Sequence, residues 1–483
     1  MKSICEIHLV ALVDILRRVS RAKNWAIALS GMIVMMTLGT IYSWSLFTQP
    51  LIASFGWSNT TTTWTFALAI FSLGIGAVIG GRWQDRVGPR RVALTGVLLW
   101  SAGNFLAGLG TMHLGAGWMY LTYGLIGGFG AGMGYVAPVA VVTKWFPGRR
   151  GLGSGMVVMG FGLGACIYNF IVKNIPSFAD AARIAADYAS ARAVAPEALH
   201  SIHFGEEHVQ AVMSVFLYSG ILFALIAGVC AAMLENPPDT QAGTAEDAAA
   251  YTTAEMLRTP QFYLLWLMLF LNVTAGILVI SNAVPIMQEL TGMAPTLVVA
   301  VYGGVAVFNG LGRFFWGAVS DRIGRNQAFG LILGIQAVVF GILGGFHGLA
   351  AVAIAYAIVL LCFGGGFGTM PSFNADYFGT KYMGANYGAL LTAWGAAGIA
   401  GPLFAAHVKD TTGLYSGALL PVAIMLLSAV LLPIVTRKPE RLEPATVRAE
   451  PRTETATGFL GQPAWLTSTG FLDRGPEQHW WRE

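Results

Sequence analysis

Twelve times along this chain, about twenty residues in succession pass almost without a charge. These runs lie near 25–48, 61–80, 92–112, 118–142, 152–172, 211–233, 262–288, 296–319, 327–346, 349–370, 384–406 and 414–436. Wound as a helix, such a run matches the hydrocarbon core of a bilayer, which is about 30 Å thick. Inside lipid a single segment must satisfy its own backbone, and the helix is the way to do so. The expected fold class is therefore an all-α membrane protein with twelve transmembrane helices. Composition agrees: 55% of the 483 residues are hydrophobic and 11% are charged, against about 25% charged in soluble domains. A net charge of +4 is too small to argue for nucleic acid. The partner implied is the lipid bilayer.

An even number of crossings puts both termini on one side. Of the 28 Lys and Arg, all fall on that side except Lys173, Arg183, Arg192, Lys409 and the intramembrane Arg313. Excess positive charge marks the cytoplasm, so the chain is expected in the cytoplasmic (inner) membrane with both ends inside. Residues 1–24 read as a cytoplasmic segment. A signal peptide fits poorly there, because Glu6 and Asp14 break the apolar run and Arg17, Arg18, Arg21 and Lys23 follow it. Residues 25–233 and 262–436 form two six-helix halves joined by a polar, acidic linker at 234–261. The tail, 437–483, has the composition of a disordered segment. Between the fifth and sixth runs, the Ala-rich stretch from Ala179 to Ala195 is expected to form a surface helix. Cys166, Cys230 and Cys362 sit in apolar runs and Cys5 stands apart, which suggests buried thiols rather than a disulfide frame. No grouping of residues calls for a metal or a cofactor.

The halves echo each other. Gly81-x-x-x-Asp85-Arg86-x-Gly88 follows the second run, and Gly317-x-x-x-Asp321-Arg322-x-Gly324 follows the eighth. Pro50 matches Pro285, Gly155 and Gly162 match Gly388 and Gly395, and Gly-Gly-Phe-Gly occurs at 127–130 and 365–368. Matches in one order at nearly constant spacing imply a duplication. The repeated motif reads as a latch. Its glycine admits a close helix, and its Asp can pair with arginines and with the positive N-terminus of a neighbouring helix. Further glycines at small-xxx-small spacing (Gly124, Gly128 and Gly132; Gly160 and Gly164; Gly384 and Gly388) suit close packing of membrane helices rather than a phosphate loop.

One charge breaks the apolar pattern. Arg313 sits in Asn309-Gly310-Leu311-Gly312-Arg313-Phe314-Phe315-Trp316, eight residues before Asp321. At 1.5 Å per residue that is about 12 Å inside the membrane edge. An intramembrane arginine costs about 2.5–3.5 kcal/mol on insertion scales. No Asp or Glu lies in the middle of any run, and Asp376, the nearest, falls at the expected cytoplasmic edge. The counterion is therefore expected to be the cargo, with guanidinium geometry suited to a bidentate carboxylate. The runs hold no paired acids, Ser/His set or metal ligands, so a transporter is expected and an enzyme is not.

Twelve runs, a duplicated half and the Gly-x-x-x-Asp-Arg-x-Gly loops resemble the major facilitator superfamily. Leu38-Gly39-Thr40-Ile41-Tyr42-Ser43-Trp44-Ser45-Leu46-Phe47, Glu255-Met256-Leu257-Arg258-Thr259-Pro260-Gln261-Phe262-Tyr263-Leu264-Leu265-Trp266, Asn309-Gly310-Leu311-Gly312-Arg313 and Asn386-Tyr387-Gly388 are similar to the oxalate/formate antiporter family, over roughly residues 25–436. The resemblance implies alternating access around a site at mid-membrane. It also implies that Tyr42 and Tyr135 present hydroxyls to the cargo. In the resembled antiporters an arginine of the eighth helix and a lysine of the eleventh together neutralise a dicarboxylate. Aligned on Asn-Tyr-Gly, that lysine falls at Trp394. Monocarboxylate symporters of the superfamily carry an Asp one turn before the arginine, where this chain has Asn309, which cannot take a proton.

One fixed cation suits one carboxylate, since a dianion would leave a charge uncompensated in low dielectric. The expected activity is therefore secondary transport of small monocarboxylates of the formate, lactate or pyruvate class, by exchange or uniport. Arg313, Trp394, Tyr42, Tyr135 and Asn309 are the expected cargo residues, and a monomer the expected functional unit. A dicarboxylate exchanger, or a broad-specificity exporter or sugar carrier of the same superfamily, stays as the alternative. Asn272, Asn282 and Gln49 are further polar candidates.

Overall fold

A computed structural model of the chain describes residues 22–194, 204–238 and 250–440. Its membrane helices are α1 (Ala22–Phe55) and α2 (Asn59–Val87), α3 (Pro89–Met119), α4 (Tyr120–Gly127, π-wound, continuing as Gly128–Trp145), α5 (Arg150–Lys173) and α6 (Glu206–Ala232). After the linker come α7 (Pro260–Ser281), α8 (Leu297–Ile323), α9 (Arg325–Leu343), α10 (Leu349–Phe378), α11 (Met383–Thr412) and α12 (Tyr415–Val435). Each of the twelve apolar runs falls mainly on one of them, 118–142 beginning in the last turn of α3 and 262–288 running past the end of α7 into the short helix Ala283–Thr291.

The third and fourth crossings are joined without a loop. From Pro89 to Trp145 the chain is helical on both sides of a break at Gly115, whose φ of 70° lies in the left-handed region that side chains avoid, and the chain turns back there. Gly103 on α3 consequently lies against Gly127 on α4, so close that a Cβ at Gly103 would stand 2.6 Å from the Cα of Gly127. The Trp118 indole donates to the Leu106 carbonyl across the same turn, at 2.7 Å.

Local chemistry sets the helix ends. Ser58 Oγ accepts the Thr61 N–H before α2, and Thr259 Oγ1 accepts the Phe262 N–H before α7. Proline opens α3 and α7, where its missing N–H goes unused. The expected surface helix runs from Pro176 to Val194. Phe178 anchors it on Phe47 of α1, ring centroids 5.5 Å apart, and Asp180 meets His208 at the start of α6. On the far side of the second half, the short helix Ala283–Thr291 after α7 carries Glu289. This carboxylate accepts the N–H groups of Tyr415 and Ser416 and pairs with Lys409.

Cys166, Cys230 and Cys362 are free thiols, Cys362 buried and the other two half-buried. Cys5, the N-terminal segment up to residue 21, the centre of the acidic linker (239–249) and the tail from 441 lie outside the described residues, as does the loop 195–203.

Candidate functional site

On α8, Asn309, Gly310, Gly312, Arg313, Trp316, Gly317 and Ser320 are buried. Glycines let the neighbours close on this helix from two sides. A Cβ at Gly368 of α10 would stand 1.9 Å from the Arg313 carbonyl oxygen, and one at Gly155 of α5 would stand 2.6 Å from the same atom. Pressed between α5 of the first half and α10 of the second, Arg313 is 0% exposed. It does not snorkel to the surface.

The guanidinium sits where the halves meet. Its Cζ lies 5.2 Å from the ring centre of Phe161 on α5 and 4.7 Å from that of Phe367 on α10. Asn309, one turn back, accepts a long hydrogen bond from Nε at 3.4 Å. Among the described residues Arg313 has no ion pair, and Nη1 and Nη2 make no well-formed hydrogen bond, the hydroxyls of Tyr42 and Tyr135 being their polar neighbours. Two ring faces contribute about 0.5–2 kcal/mol each, less than the several kcal/mol that burying a cation costs.

The aromatic neighbours come from both halves. Trp394 of α11, 0% exposed, has its ring 4.7 Å from Phe367, 5.3 Å from Phe161, 5.3 Å from Tyr135 on α4 and 6.1 Å from Tyr42 on α1. The hydroxyls of Tyr42 and Tyr135 both lie within electrostatic reach of the guanidinium. The structure thus brings Arg313, Trp394, Tyr42, Tyr135 and Asn309 together. It adds Phe161, Phe367 and Tyr387, whose roles the sequence did not disclose. Asn272 is committed elsewhere: it donates to the Phe363 carbonyl and accepts from Gln336. Asn282 bonds back to Leu278 and Ser281, and Gln49 is exposed.

The repeated motifs lie at one end of the bundle and join the halves there. Asp321 accepts the N–H groups of Gly151 at 2.9 Å and Leu152 at 2.8 Å, the first turn of α5 in the other half. Asp85 reciprocates, accepting Gly384 at 3.1 Å and Ala385 at 2.8 Å, the first turn of α11. Each carboxylate caps the positive end of a helix across the seam. Gly317 and Gly81 make room, since a Cβ would stand 2.4 Å from the Gly151 oxygen and 2.0 Å from the Gly384 oxygen. Gly88 and Gly324, at φ 86° and 91°, turn the chain after each motif.

The motif arginines play no part in this pairing: Arg86 and Arg322 are exposed and, among the described residues, make no ion pair. The cation on Asp321 is Arg325, at 2.8 Å. Asp376 then bridges Arg325 at 2.7 Å and Arg150 at 3.0 Å, a cross-half link. Ser154 and Ser372, 2.9 Å apart, add another. These hydrogen bonds and ion pairs tie the halves together at this end, which is shut.

A family model described as the Major Facilitator Superfamily matches residues 27–402, and a second match covers 265–472. The chain is similar to the oxalate:formate antiporter of Oxalobacter formigenes, 29% identical over 406 residues that cover 80% of this chain and 85% of the relative. It is also similar to apicoplast pyruvate carrier 1 of Toxoplasma gondii, 25% identical, covering 73% of this chain and 70% of the relative. Among solved structures, the proton:xylose symporter XylE bound to 6-bromo-6-deoxy-D-glucose superposes with a TM-score of 0.65 over 87% of this chain and 97% of its own. At 15% identity that likeness bears on the fold alone.

Proposed function

The chain belongs to the Major Facilitator Superfamily and is a multi-pass secondary transporter, not an enzyme; on that premise we propose that its cargo is a small organic anion with one carboxylate. The class is that of formate, lactate and pyruvate. The observation that carries this reading is Arg313, a guanidinium of 0% exposure that has no acidic partner among the described residues and whose Nη1 and Nη2 make no well-formed hydrogen bond there. A bidentate carboxylate supplies the missing charge and two acceptors in one group. Tyr42 and Tyr135 supply further donors from the other half, so bound cargo bridges the seam. Phe161, Phe367 and Trp394 enclose its apolar part.

Trp394 argues for a single charge on the cargo. It is neutral and packed by four aromatic rings, so a second carboxylate would enter low dielectric without a counterion. Asn309 offers no site for a proton, which favours exchange or uniport. The names of the two relatives, one for oxalate and formate and one for pyruvate, support small carboxylates as the class. The oxalate in the first name keeps dicarboxylate exchange as the second reading. The motif-bearing end, with its excess of Lys and Arg, faces the cytoplasm in this account, so the shut end is the inner one.

Counterflow in proteoliposomes, with a panel of one- to four-carbon mono- and dicarboxylates, is the test. Exchange of monocarboxylates and weak exchange of oxalate or succinate is the result expected. Preference for dicarboxylates, or no competition by any carboxylate, would overturn the reading.

A further inference from the structure

Six polar atoms that make no well-formed hydrogen bond among the described residues gather at the centre: Nη1 and Nη2 of Arg313, the hydroxyls of Tyr42, Tyr135 and Tyr387, and Nε1 of Trp394. All six belong to residues packed around one guanidinium, and Tyr387 and Trp394 both stand on α11. Tyr387 is fully buried, and its hydroxyl lies beside that of Tyr135, with which it interacts electrostatically. The Trp394 indole stands in the same relation to the Tyr42 hydroxyl. Each phenol of the first half therefore has both the guanidinium and an α11 donor as neighbours.

Donor chemistry fixes how such a set can be satisfied. A guanidinium and an indole N–H can only donate, a carboxylate can only accept, and a phenol can do both. The Trp394 N–H has the Tyr42 oxygen as its neighbouring acceptor. Once Tyr42 accepts from the indole, its own hydrogen is directed away from Trp394 and is left for the cargo. Tyr387, donating to Tyr135, turns that hydroxyl the same way. One carboxylate has about four lone-pair sites. Two are taken by Nη1 and Nη2 and two by the phenols, so each of the six polar atoms makes at least one bond.

We propose that α11 sets the direction of both cargo-binding phenols, Trp394 Nε1 through Tyr42 and Tyr387 Oη through Tyr135, so that four hydrogen bonds converge on a single carboxylate. Tyr387 is then a positioning residue that need not touch the cargo. The inference rests on the proposed carboxylate site and deepens it. It also gives the neutral Trp394 a polar task at the place where a cation would serve a dianion.

A double-mutant cycle tests it, with counterflow of whichever of formate, lactate or pyruvate the unmodified chain exchanges fastest. Tyr135→Phe is expected to raise KM roughly 3- to 10-fold, the size of one hydrogen bond. Tyr387→Phe is expected to raise it by a similar or smaller factor without lowering the maximal rate. The double variant should be no worse than Tyr135→Phe alone, because an orienting partner is worth nothing once its target is gone. Tyr42→Phe with Trp394→Phe forms a second, independent cycle in which, Trp394 also enclosing the cargo, the double variant should fall short of the product of the single penalties, which keeps the test open if one variant fails to fold. Penalties that multiply in the double variant, or a Tyr387→Phe defect confined to maximal rate, would show a packing role and overturn the inference. Exchange of no carboxylate by the unmodified chain would overturn the proposed function along with it.

Discussion

Replacing Asp321 by Asn should open the end of the bundle that the structure shows shut. The aspartate accepts two N–H bonds at the start of α5, at 2.9 and 2.8 Å, and pairs with Arg325. An amide keeps one acceptor oxygen for one N–H and turns its own NH2 towards the other. The lost bond to a charged group costs about 1.5–3 kcal/mol. Removing the charge from the helix N-terminus costs about 0.3–1 kcal/mol more. The ion pair adds little, since Arg325 retains Asp376. The total, about 2–4 kcal/mol, opposes only the shut state, because the open state lacks these contacts. The ratio of shut to open should fall by roughly 30-fold or more, at about 1.4 kcal/mol per decade. Spin labels at Arg82→Cys and Gln327→Cys, exposed positions at this end on opposite halves, report the separation by double electron–electron resonance in a chain freed of its native cysteines. Asp321→Asn should add a longer component to the distance distribution, and Asp85→Asn a comparable one. An unchanged distribution in both variants would refute the capping argument.

Three further outcomes follow from particular contacts. Trp394→Lys puts a second cation among the rings of Tyr42, Tyr135, Phe161 and Phe367, and counterflow competition should shift towards dicarboxylates; an unchanged preference would leave Trp394 without a role in selecting cargo charge. Gly368→Ala drives a methyl to within 1.9 Å of a backbone oxygen that cannot turn aside, so thermal melting should show a loss of about 1–3 kcal/mol. Gly330→Ala, with nothing within 4 Å, should be neutral. For Glu289, burial works against the charged form, but the N–H groups of Tyr415 and Ser416 and the Lys409 ammonium outweigh it and hold the carboxyl below its ordinary value of 4.5. A carboxyl so depressed stabilises the fold above its unfolded pKa and loses that contribution as pH falls through the folded one. Melting temperature should therefore fall more steeply on acidification below about pH 4.5 for the native chain than for Glu289→Gln.

How much of this was legible in the sequence depended on whether lipid or a partner dictated it. Lipid requires about twenty apolar residues per crossing, so the twelve helices could be read off directly. That the third and fourth meet at a break at Gly115 rather than across a loop could not, because many glycines in the chain look alike. Arg313 stood out as the one charge inside the apolar runs. The rings that enclose it did not, since Phe161 and Phe367 are ordinary membrane phenylalanines until the packing sets them against a cation. Asp85 and Asp321 were recognisable from their repeat, but their true partners were not. Arg150 and Asp376 are separated by 226 positions, and Arg325 lies just beyond the motif whose own arginine faces outward. Asn272 looked like a cargo residue and is instead tied up with Gln336, because a polar side chain in an apolar run gives no sign of which face it occupies.

The charge balance at Arg313 carries the proposed function, and the uptake of carboxylate by Arg313→Gln in proteoliposomes measures that balance most directly. Glutamine keeps much of the length and the hydrogen bonding but removes the cation. With the variant eluting as a folded monodisperse protein, uptake of the native chain's preferred monocarboxylate should fall about 100-fold or more, as expected for an anion left unpaired in a buried site. Uptake within a few-fold of the native rate would mean that the cargo does not neutralise Arg313.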